Sequence, residues 1–352
     1  MRRRSTLKEV AAALDLSVAT VSRALGGYED IAPQTRQRVA EKARELGYVP
    51  NTAGRMLVSG RSGFVGLVLP VRGPNFVDSF LGQFVTGLGE GFVAKGVDLM
   101  IATASPGQSE LDVLKHLVHS GRADGVVLTR IAEEDERVKF LLEQRFPFVL
   151  HGRLSSDSAH YSWLDTSGEA AFAQAFQELY ALGHRHFGLV TIEESMTFRR
   201  DRESGLQMAI AEADDPTVRL SVARSPRFDE ESHRAAISEL LEREDRPTAI
   251  IGLFDELALM VMRQAQELGL SIPEELSVVG FDDVPAASYS APGLTTFDQA
   301  TRESAREIAD MLARLVGGEA QAPLSRLKVP RFIARGSHGP APQGARPRIR
   351  QI

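Results

Sequence analysis

The stretch STLKEVAAALDLSVATVSRALGGYEDIAPQTRQRVAEKARELGYVPNTAGRMLVS, residues 5–59, decides how the rest of the chain is interpreted. Apolar residues recur at helical spacing from its start, and Thr6 or Ser5 is suited to cap that first helix. Ser17 is the expected N-cap of a second, short helix, and Pro33 suits the first turn of a third. Two helices joined by a short turn, the second capped by Ser, are typical of a helix-turn-helix.

The outward side of the second helix carries the predicted DNA contacts. With its N-terminal end in the major groove, the helix would place Val18 and Ala19 against base edges or thymine methyl groups, and Arg23 would reach guanine or a phosphate. Phosphate contacts, which position a protein without reading sequence, are predicted for Thr6, Ser17, Thr20 and Ser22. Helix spacing alone leaves one alternative open, a short helical bundle used for protein contacts.

The words LKEVAAALDLSVATVSRAL and TRQRVAEKARELGYVPN resemble the head of the LacI/GalR family of transcription repressors. The resemblance implies a DNA-binding domain over residues 1–50 and a hinge helix or linker over residues 51–61. In that hinge it assigns DNA contacts to Asn51 and Arg55. It also matches Leu57 to the residue that wedges into the minor groove and kinks the DNA, with ordinary packing as the alternative.

Two residues depart from the family pattern. Asp15 stands where the family usually has Gly in the turn, but Asp tolerates a left-handed backbone better than most residues, so the turn is expected to persist. Gly54 lies inside the hinge segment, and Gly costs about 1 kcal/mol relative to Ala in a helix interior. The hinge is therefore expected to fold only on DNA.

Charge is divided unevenly along the chain. Residues 1–60 hold ten Lys or Arg and six Asp or Glu, a net charge of +4, while the whole chain of 352 residues carries −6. A basic head on an acidic body fits a reader of nucleic acid attached to a domain that avoids it. The chain has no Cys, which excludes disulfides and thiolate chemistry. With no secretory signal and no membrane-spanning run, a cytoplasmic protein without a membrane partner is expected.

From Gly63 onward, short apolar runs such as FVGLVLP alternate with helical patterns, and the rhythm restarts after His160. This alternation predicts two α/β lobes, each a parallel sheet with helices on both faces. The fold class is therefore a small all-α helix-turn-helix head plus an α/β two-lobed core of two parallel doubly wound sheets, which resembles the periplasmic-binding-protein-like core of the same family. The predicted boundaries are residues 62–161 with 292–324 for the first lobe, 162–291 with 325–335 for the second, and 336–352 for a disordered tail.

A ligand is expected between the lobes, because ligands of such sheets lie outside the carboxyl ends of the strands. The resemblance implies that Asp282 accepts hydrogen bonds from effector hydroxyls, that Arg202 clamps the ligand, and that Phe228 stacks on its ring. The alternatives are a capping or interlobe carboxylate for Asp282, pairing with Glu203 or another acid for Arg202, and lobe packing for Phe228. Further candidates at strand ends are Asn75, Phe76, His151, Arg153, Phe254 and Asp255; for the first four, ordinary loop positions are the alternative.

Aromatic side chains beside Asp, Asn and Arg suit a polyhydroxylated ligand such as a sugar. The words FPFVLHGR and FRRDRESGL resemble regulators of sugar utilisation, including those that respond to α-glucosides. The predicted protein is a homodimeric repressor on a pseudo-palindromic double-stranded operator. Its effector closes the lobes and unfolds or separates the hinges. A co-repressor-dependent regulator of a non-sugar metabolite and a periplasmic-type binding protein remain as alternatives.

An enzyme is disfavoured because the GxSxG, P-loop and GxGxxG motifs are absent. His116 and His119 have the spacing of a metal pair but no acidic or Cys partner at matching spacing. Asp282 and Asp283 could hold a divalent ion, but no second acidic cluster stands near them in sequence. No catalytic residue, cofactor or metal site is predicted.

Overall fold

The computed structural model describes residues 5–26, 28, 30–48, 61–70, 78–154, 160–320 and 322–343 of the chain. The head contains helices α1 (Leu7–Leu14), α2 (Val18–Leu25) and α3 (Pro33–Glu45). Their apolar sides meet in a small core in which Val10, Val21 and Val39 are fully buried. The predicted helix-turn-helix is confirmed.

Short polar side chains fix the ends of the first two helices. The Thr6 side chain accepts a hydrogen bond from the Glu9 N–H while the Glu9 carboxylate accepts one from the Thr6 N–H, a reciprocal cap of α1. The Ser17 side chain caps α2 by accepting from the N–H of Thr20. Asp15 adopts the left-handed conformation, φ 54° and ψ 44°. The turn therefore keeps its shape with Asp in place of Gly.

The first half of the body alternates strands and helices. Its elements are β1 (Phe64–Pro70), α4 (Ser79–Val93), β2 (Asp98–Ala104), α5 (Glu110–His119), β3 (Gly125–Leu128), α6 (Glu136–Glu143), β4 (Phe148–His151) and β5 (Ser162–Thr166). The strands pair in parallel in the order β2-β1-β3-β4-β5. Successive β1 residues pack into different cores, Leu67 on one face and Val68 on the other, so helices cover both faces of this sheet.

The second half repeats the pattern. Its elements are α7 (Gly168–Ala181), β6 (His186–Ile192), α8 (Thr197–Glu212), β7 (Arg219–Ser225), α9 (Glu230–Glu242), β8 (Ala249–Gly252), α10 (Asp255–Glu267), β9 (Ser277–Val279) and α11 (Pro285–Tyr289). The strands form a second parallel sheet in the order β7-β6-β8-β9. The prediction of two parallel α/β lobes is confirmed.

The chain then returns to both lobes. The last elements are β10 (Thr296–Asp298), α12 (Thr301–Gly317), β11 (Ser325–Lys328) and β12 (Arg331–Ile333). Helix α12 buries Ile308 and Leu312 in the core of the first lobe. Strand β11 extends the first sheet in parallel beside β5, whereas β10 and β12 form a separate antiparallel pair.

The predicted lobe boundaries are wrong by one strand at each crossover. Strand β5, predicted for the second lobe, lies in the first sheet between β4 and β11, and β11 was assigned to the wrong lobe as well. Strand β10, predicted for the first lobe, instead buries Phe297 in the core of the second. The alternation of β5 between buried and half-buried residues does not reveal which sheet a strand joins, because pairing depends on partners far away in sequence.

The predicted disordered tail is wrong for its first residues. The Ser337 carbonyl accepts a hydrogen bond from the N–H of Val278 at 2.7 Å, and the Ala341 N–H donates to the carbonyl of Leu182 at 2.9 Å. The Gly339 carbonyl lies 3.0 Å from Nε2 of the buried His184. Residues up to 343 therefore pack on the second lobe, and residues 344–352 lie outside the described residues. In the described part of the chain, no helix combines the length and apolar character needed to span a bilayer.

Candidate DNA-binding face and interlobe ligand site

One side of α2 is exposed, and it carries the residues predicted to read DNA. Val18 is 40% exposed, and Ala19, Ser22 and Arg23 also face outward, while Val21 points into the core of the head. The side chains of Ser17 and Thr20 meet at the N-terminal end of this face, where their oxygens lie 2.8 Å apart. This arrangement leaves the first turn of α2 and its apolar Val18 available to a DNA groove.

Arg23 has protein partners of its own. Its guanidinium pairs with Asp30 and lies 5.5 Å from the centre of the Tyr28 ring. An exposed pair of this kind stabilises little, so exchange of Asp30 for a phosphate costs little. The hinge residues Asn51, Arg55 and Leu57 lie outside the described residues.

The two lobes enclose a cavity with about 710 Å³ of atom-free space, part of it open to solvent. Its walls are the carboxyl ends of strands in both sheets and the first turns of the helices that follow. The lining residues are Asp78, Phe80, Thr129, Arg130, Ile131, His151, Gly152, Asp165, Thr166, Gly168, Thr197, Phe198, Asp201, Arg202, Arg227, Phe254, Glu256, Asp282 and Gln299. Acidic groups, basic groups and three phenylalanine rings therefore converge on one space.

Arg202 occupies the second-lobe wall, where the close crossing of two helices places it. A Cβ on Gly205 would lie 2.2 Å from the carbonyl oxygen of Glu169, so only Gly lets α8 approach α7 this closely. The Arg202 guanidinium lies 3.8 Å from the centre of the Phe281 ring and donates to the Leu253 carbonyl. Stacking and hydrogen bonding thus hold its planar group in one orientation.

Asp282 faces Arg202 across this wall. Its carboxylate lies 4.0 Å from the Arg202 guanidinium and accepts a hydrogen bond from the side-chain amide of Gln299. Burial raises the pKa of Asp282 well above its ordinary value, and the positive charge of Arg202 opposes that rise. The pair therefore offers a donor and an acceptor side by side in a site with little water.

Two arginines bracket Asp78 of the first lobe: Arg130 from the end of β3 in the same lobe, and Arg227 from the end of β7 in the second lobe. Asp78 caps α4 by accepting from the N–H of Leu81, pairs with Arg130, and lies 3.8 Å from a terminal nitrogen of Arg227. Burial lowers the pKa of Arg227 to about 9. Its guanidinium also lies 5.9 Å from the centre of the Phe254 ring.

His151 contributes a neutral imidazole. Its ring packs against Phe80 and Phe84 at centroid distances of 5.4 and 5.0 Å. Burial lowers the pKa of His151 to about 4, with the nearby charges of Arg202 and Lys328 acting in the same direction. At neutral pH the ring is uncharged and offers a hydrogen-bonding nitrogen toward the cavity.

Glu256 brings to the cavity a carboxylate that forms no ion pair with the residues the structure describes. Burial, helped by the nearby charges of Asp78 and Asp255 and opposed by Arg227, raises the pKa of Glu256 to about 7. Its Oε1 atom is buried and makes no hydrogen bond within the described part of the chain. The carboxyl group is thus held ready for a partner from outside the chain.

Five further buried polar atoms around the cavity make no hydrogen bond among the described residues. They are Thr129 Oγ1, Arg130 Nε, His151 Nε2, Thr166 Oγ1 and Arg227 Nη1. A buried polar group without a partner costs about 1–3 kcal/mol, so such a cluster on one cavity indicates a ligand that supplies several hydrogen bonds.

Comparison with known proteins agrees with this architecture. The model of the family described as bacterial regulatory proteins, lacI family, matches residues 6–51, and that of the periplasmic binding protein-like domain matches residues 176–338. The HTH-type transcriptional regulator AglR of Rhizobium meliloti (strain 1021) is 34% identical over 343 residues, which cover 96% of this chain and 95% of the relative. The chain belongs to the lacI family of bacterial regulatory proteins. It is a DNA-binding transcriptional regulator with a helix-turn-helix head.

Solved structures of similar proteins extend the match to both parts of this lacI-family chain. The transcriptional regulator CelR, solved as a complex with cellobiose, is 29% identical, with a TM-score of 0.70 over 95% of this chain and 100% of that chain. The lac repressor dimer bound to operator and the anti-inducer ONPF is 23% identical, with a TM-score of 0.79 over 95% and 99%. The latter likeness shows the shared fold.

In this lacI-family regulator, four of the predicted effector residues line the cavity: His151, Arg202, Phe254 and Asp282. The alternative pairing of Arg202 with Glu203 is wrong, because the Glu203 carboxylate instead binds Arg224 at 3.0 Å. Asn75 and Phe76 lie outside the described residues.

The other three predicted effector residues do not line the cavity. Asp255 is fully buried and accepts hydrogen bonds from the Val284 N–H and the Thr296 hydroxyl, so it holds loops of the second lobe together. Arg153 pairs with Asp165 at 3.1 Å and Glu169 at 3.0 Å. Phe228 lines a separate groove with Ser105, Gln108 and other residues. These placements correct the predicted pocket.

Sequence reasoning missed Arg130, Arg227, Glu256 and Gln299. Arg130 follows β3 in the word ADGVVLTR, and Glu256 follows β8 by four residues, so the strand-end rule applied to every strand would have found both. Arg227 and Gln299 follow β7 and β10 in the same way. The family resemblance predicted Phe228 as a ligand contact, but its neighbour Arg227 is the residue that lines the cavity.

Proposed function

We propose that a sugar binds in the interlobe cavity of this regulator and thereby controls its affinity for an operator. The carrying observation is the set of six buried, unpartnered polar atoms that surround the cavity. A sugar presents several hydroxyl groups, each both donor and acceptor, on a ring with apolar faces. The rings of Phe80, Phe198 and Phe254 supply matching apolar surface.

The effector residues of the second-lobe wall would hold the ligand between a donor and an acceptor. Arg202 would donate to one or two hydroxyls and Asp282 would accept from another. His151 and Arg130 would contact the same ligand from the first lobe. Because the ligand joins both walls, its binding free energy favours one arrangement of the lobes over others. The solved complex of the relative CelR with cellobiose supports a sugar as the class of ligand.

The regulator acts, in this proposal, as a cytoplasmic homodimer whose two heads contact the half-sites of a pseudo-palindromic operator. On each head, Val18, Ala19 and Arg23 contact bases, and Thr6, Ser17, Thr20 and Ser22 contact phosphates. In the hinge, Asn51 and Arg55 contact DNA and Leu57 wedges its minor groove. Sugar binding changes the lobe arrangement and releases the hinges from DNA. The coupling expected for such allostery is about 1–3 kcal/mol, a change of roughly 5- to 150-fold in affinity.

The test begins with operator DNA selected from a random duplex pool by the full-length protein. Its dissociation constant is then measured at fixed salt with and without glucose, maltose, cellobiose, trehalose, sucrose and raffinose. At least one sugar should weaken operator binding at least fivefold. No effect of any of these sugars would refute the proposed effector class, and tighter operator binding would refute the predicted release.

Substitutions in the second-lobe wall should separate sensing from DNA binding. Arg202→Ala and Asp282→Asn are expected to bind the selected operator as the parent does but to lose the response to the sugar. The matched control is Arg263→Ala, since Arg263 is exposed and pairs with Glu267 on the outer side of α10. If both wall variants still respond, the sugar binds elsewhere.

A further inference from the structure

The cavity lining contains different numbers of acidic and basic side chains, and these charges affect which sugars bind. The acidic lining residues outnumber the guanidinium groups. The acids are Asp78, Asp165, Asp201, Glu256 and Asp282, and the cations are Arg130, Arg202 and Arg227. Asp165 and Asp201 also pair with Arg153 and Arg200 outside the lining, so among the described residues the lining acid without an ion pair is Glu256.

The three guanidinium groups already have acceptors in the protein. Arg130 pairs with Asp78, and Arg202 donates to the Leu253 carbonyl and faces Asp282. Arg227 shares Asp78 with Arg130. Nε of Arg130 and Nη1 of Arg227 are buried and make no hydrogen bond among the described residues, and both guanidinium groups share their charge with Asp78. Single donors suit hydroxyl oxygens, whereas recognition of a phosphate or carboxylate uses a guanidinium whose paired donors and charge are both available.

Glu256 adds a carboxyl oxygen that has no hydrogen-bond donor from the described residues. That oxygen accepts from a ligand hydroxyl, but a second anion beside it in a buried site is strongly disfavoured. The negative charges of Asp78 and Asp255 also act at the Glu256 carboxyl group, and the positive charge of Arg227 opposes them. Glu256 lies in the first turn of α10, where the helix dipole stabilises its charge.

We infer that the cavity takes sugars without negative charge and excludes phosphorylated or carboxylated ones, with Glu256 as the residue that sets this selection. The inference rests on the proposed sugar effector and specifies its chemical class. It assigns to Arg130 and Arg227 the role of hydroxyl donors and not of anion receptors. Glu256 acts as the acceptor for a ligand hydroxyl.

The test compares matched pairs of probes on the full-length protein at pH 7.5 by calorimetry. The pairs are glucose and glucose 6-phosphate, trehalose and trehalose 6-phosphate, galactose and galacturonate, and cellobiose and cellobionate. In every pair that binds, the uncharged member should bind roughly tenfold tighter or more. An anionic member that binds as tightly as its partner overturns the inference. Absence of binding by both members of all pairs refutes the sugar effector itself, and the inference with it.

A variant assigns the selection to Glu256. Glu256→Gln keeps the size of the side chain and removes its charge. The ratio of the affinity for the uncharged probe to that for the anionic probe should therefore fall by roughly tenfold. Glu256→Asp, which keeps the charge, should restore this ratio in part. Glu267→Gln, on the exposed side of the same helix, should leave the ratio unchanged. An equal loss of affinity for both members in Glu256→Gln, with an unaltered ratio, would mean that Glu256 has only a structural role.

Discussion

The Glu256 carboxyl group lies where burial opposes its ionisation, and this gives a prediction about stability. Its folded pKa of about 7 lies above its ordinary value of 4.5, mainly because of burial, with Asp78 and Asp255 adding to the rise and Arg227 opposing it. The native state therefore binds the proton more tightly. The resulting stability is fully present below about pH 4.5 and is lost as the pH rises through 7.

Glu256→Gln should consequently gain stability relative to the parent as the pH rises from 5 to 8. The expected change in this difference is about 1–3 kcal/mol, measured from denaturant unfolding of both proteins at the two pH values. Comparison with the parent at each pH removes the contribution of other titrating groups. Glu267→Gln, on the exposed side of the same helix, is the control for the substitution itself. If the difference in unfolding free energy between Glu256→Gln and the parent were the same at pH 5 and pH 8, the burial of the Glu256 carboxyl group would be contradicted.

Cavity-lining residues could be predicted from the sequence when a family motif lay at the end of a strand. Arg202 and Asp282 were found in this way. Asp255 was misassigned because its partner Thr296 is 41 residues away, and a hydrogen bond of that range leaves no local pattern. Arg153 does not line the cavity for a similar reason, since its ion pairs with Asp165 and Glu169 depend on how β5 pairs.

At the crossing of helices α7 and α8, one added methyl group is expected to lower the stability of the protein. Gly205→Ala would place a Cβ 2.2 Å from a backbone oxygen of Glu169, which cannot move without shifting α7. The expected loss is about 1–3 kcal/mol of stability, together with weaker sugar binding because Arg202 lies one turn away on α8.

Gly89→Ala is the matched control for this crossing. Gly89 lies within α4, and no atom of the described residues lies within 4 Å of where its Cβ would be. Ala there should raise stability by about 1 kcal/mol, because Ala favours the helix over Gly. Equal thermal unfolding midpoints for the two variants would show that the crossing does not constrain the second lobe.

A further prediction concerns the hinge between the head and the two lobes. Leu57→Ala should weaken binding to the selected operator by removing the wedge that opens the minor groove, a loss of roughly a few kcal/mol. Sugar affinity, measured by calorimetry on the free protein, should stay the same. Leu7→Ala, which alters the packed head, serves as a comparison that also lowers head stability. Unchanged operator affinity in Leu57→Ala would remove the wedge from the account.

Element assignment from sequence succeeded where apolar runs were long and failed where strands were short. The helices of the head and the alternation of both lobes follow from hydrophobic period and from caps such as Thr6 and Ser17. Two short strands, β11 and β12, are separated only by Val329 and Pro330. Because Pro330 has no N–H, it ends one ladder, and the next strand pairs in a different sheet.

Across the whole molecule, the chain passes between the lobes next to residues that line the cavity. Thr166 and Gly168 line it where the chain first leaves β5, and Gln299 lines it just after β10. A ligand that contacts these crossing segments acts on the connections that set the arrangement of the lobes. This gives the cavity a direct mechanical link to the relative position of the two sheets.

The coupling between cavity and head must be reciprocal if it is thermodynamic. The most direct test is calorimetric titration of the effective sugar into the full-length regulator, once free and once saturated with selected operator. Sugar affinity should fall in the operator complex by the same factor by which the sugar weakens operator binding, within the range of roughly 5- to 150-fold. Identical sugar affinity in the free and operator-bound protein would contradict the account.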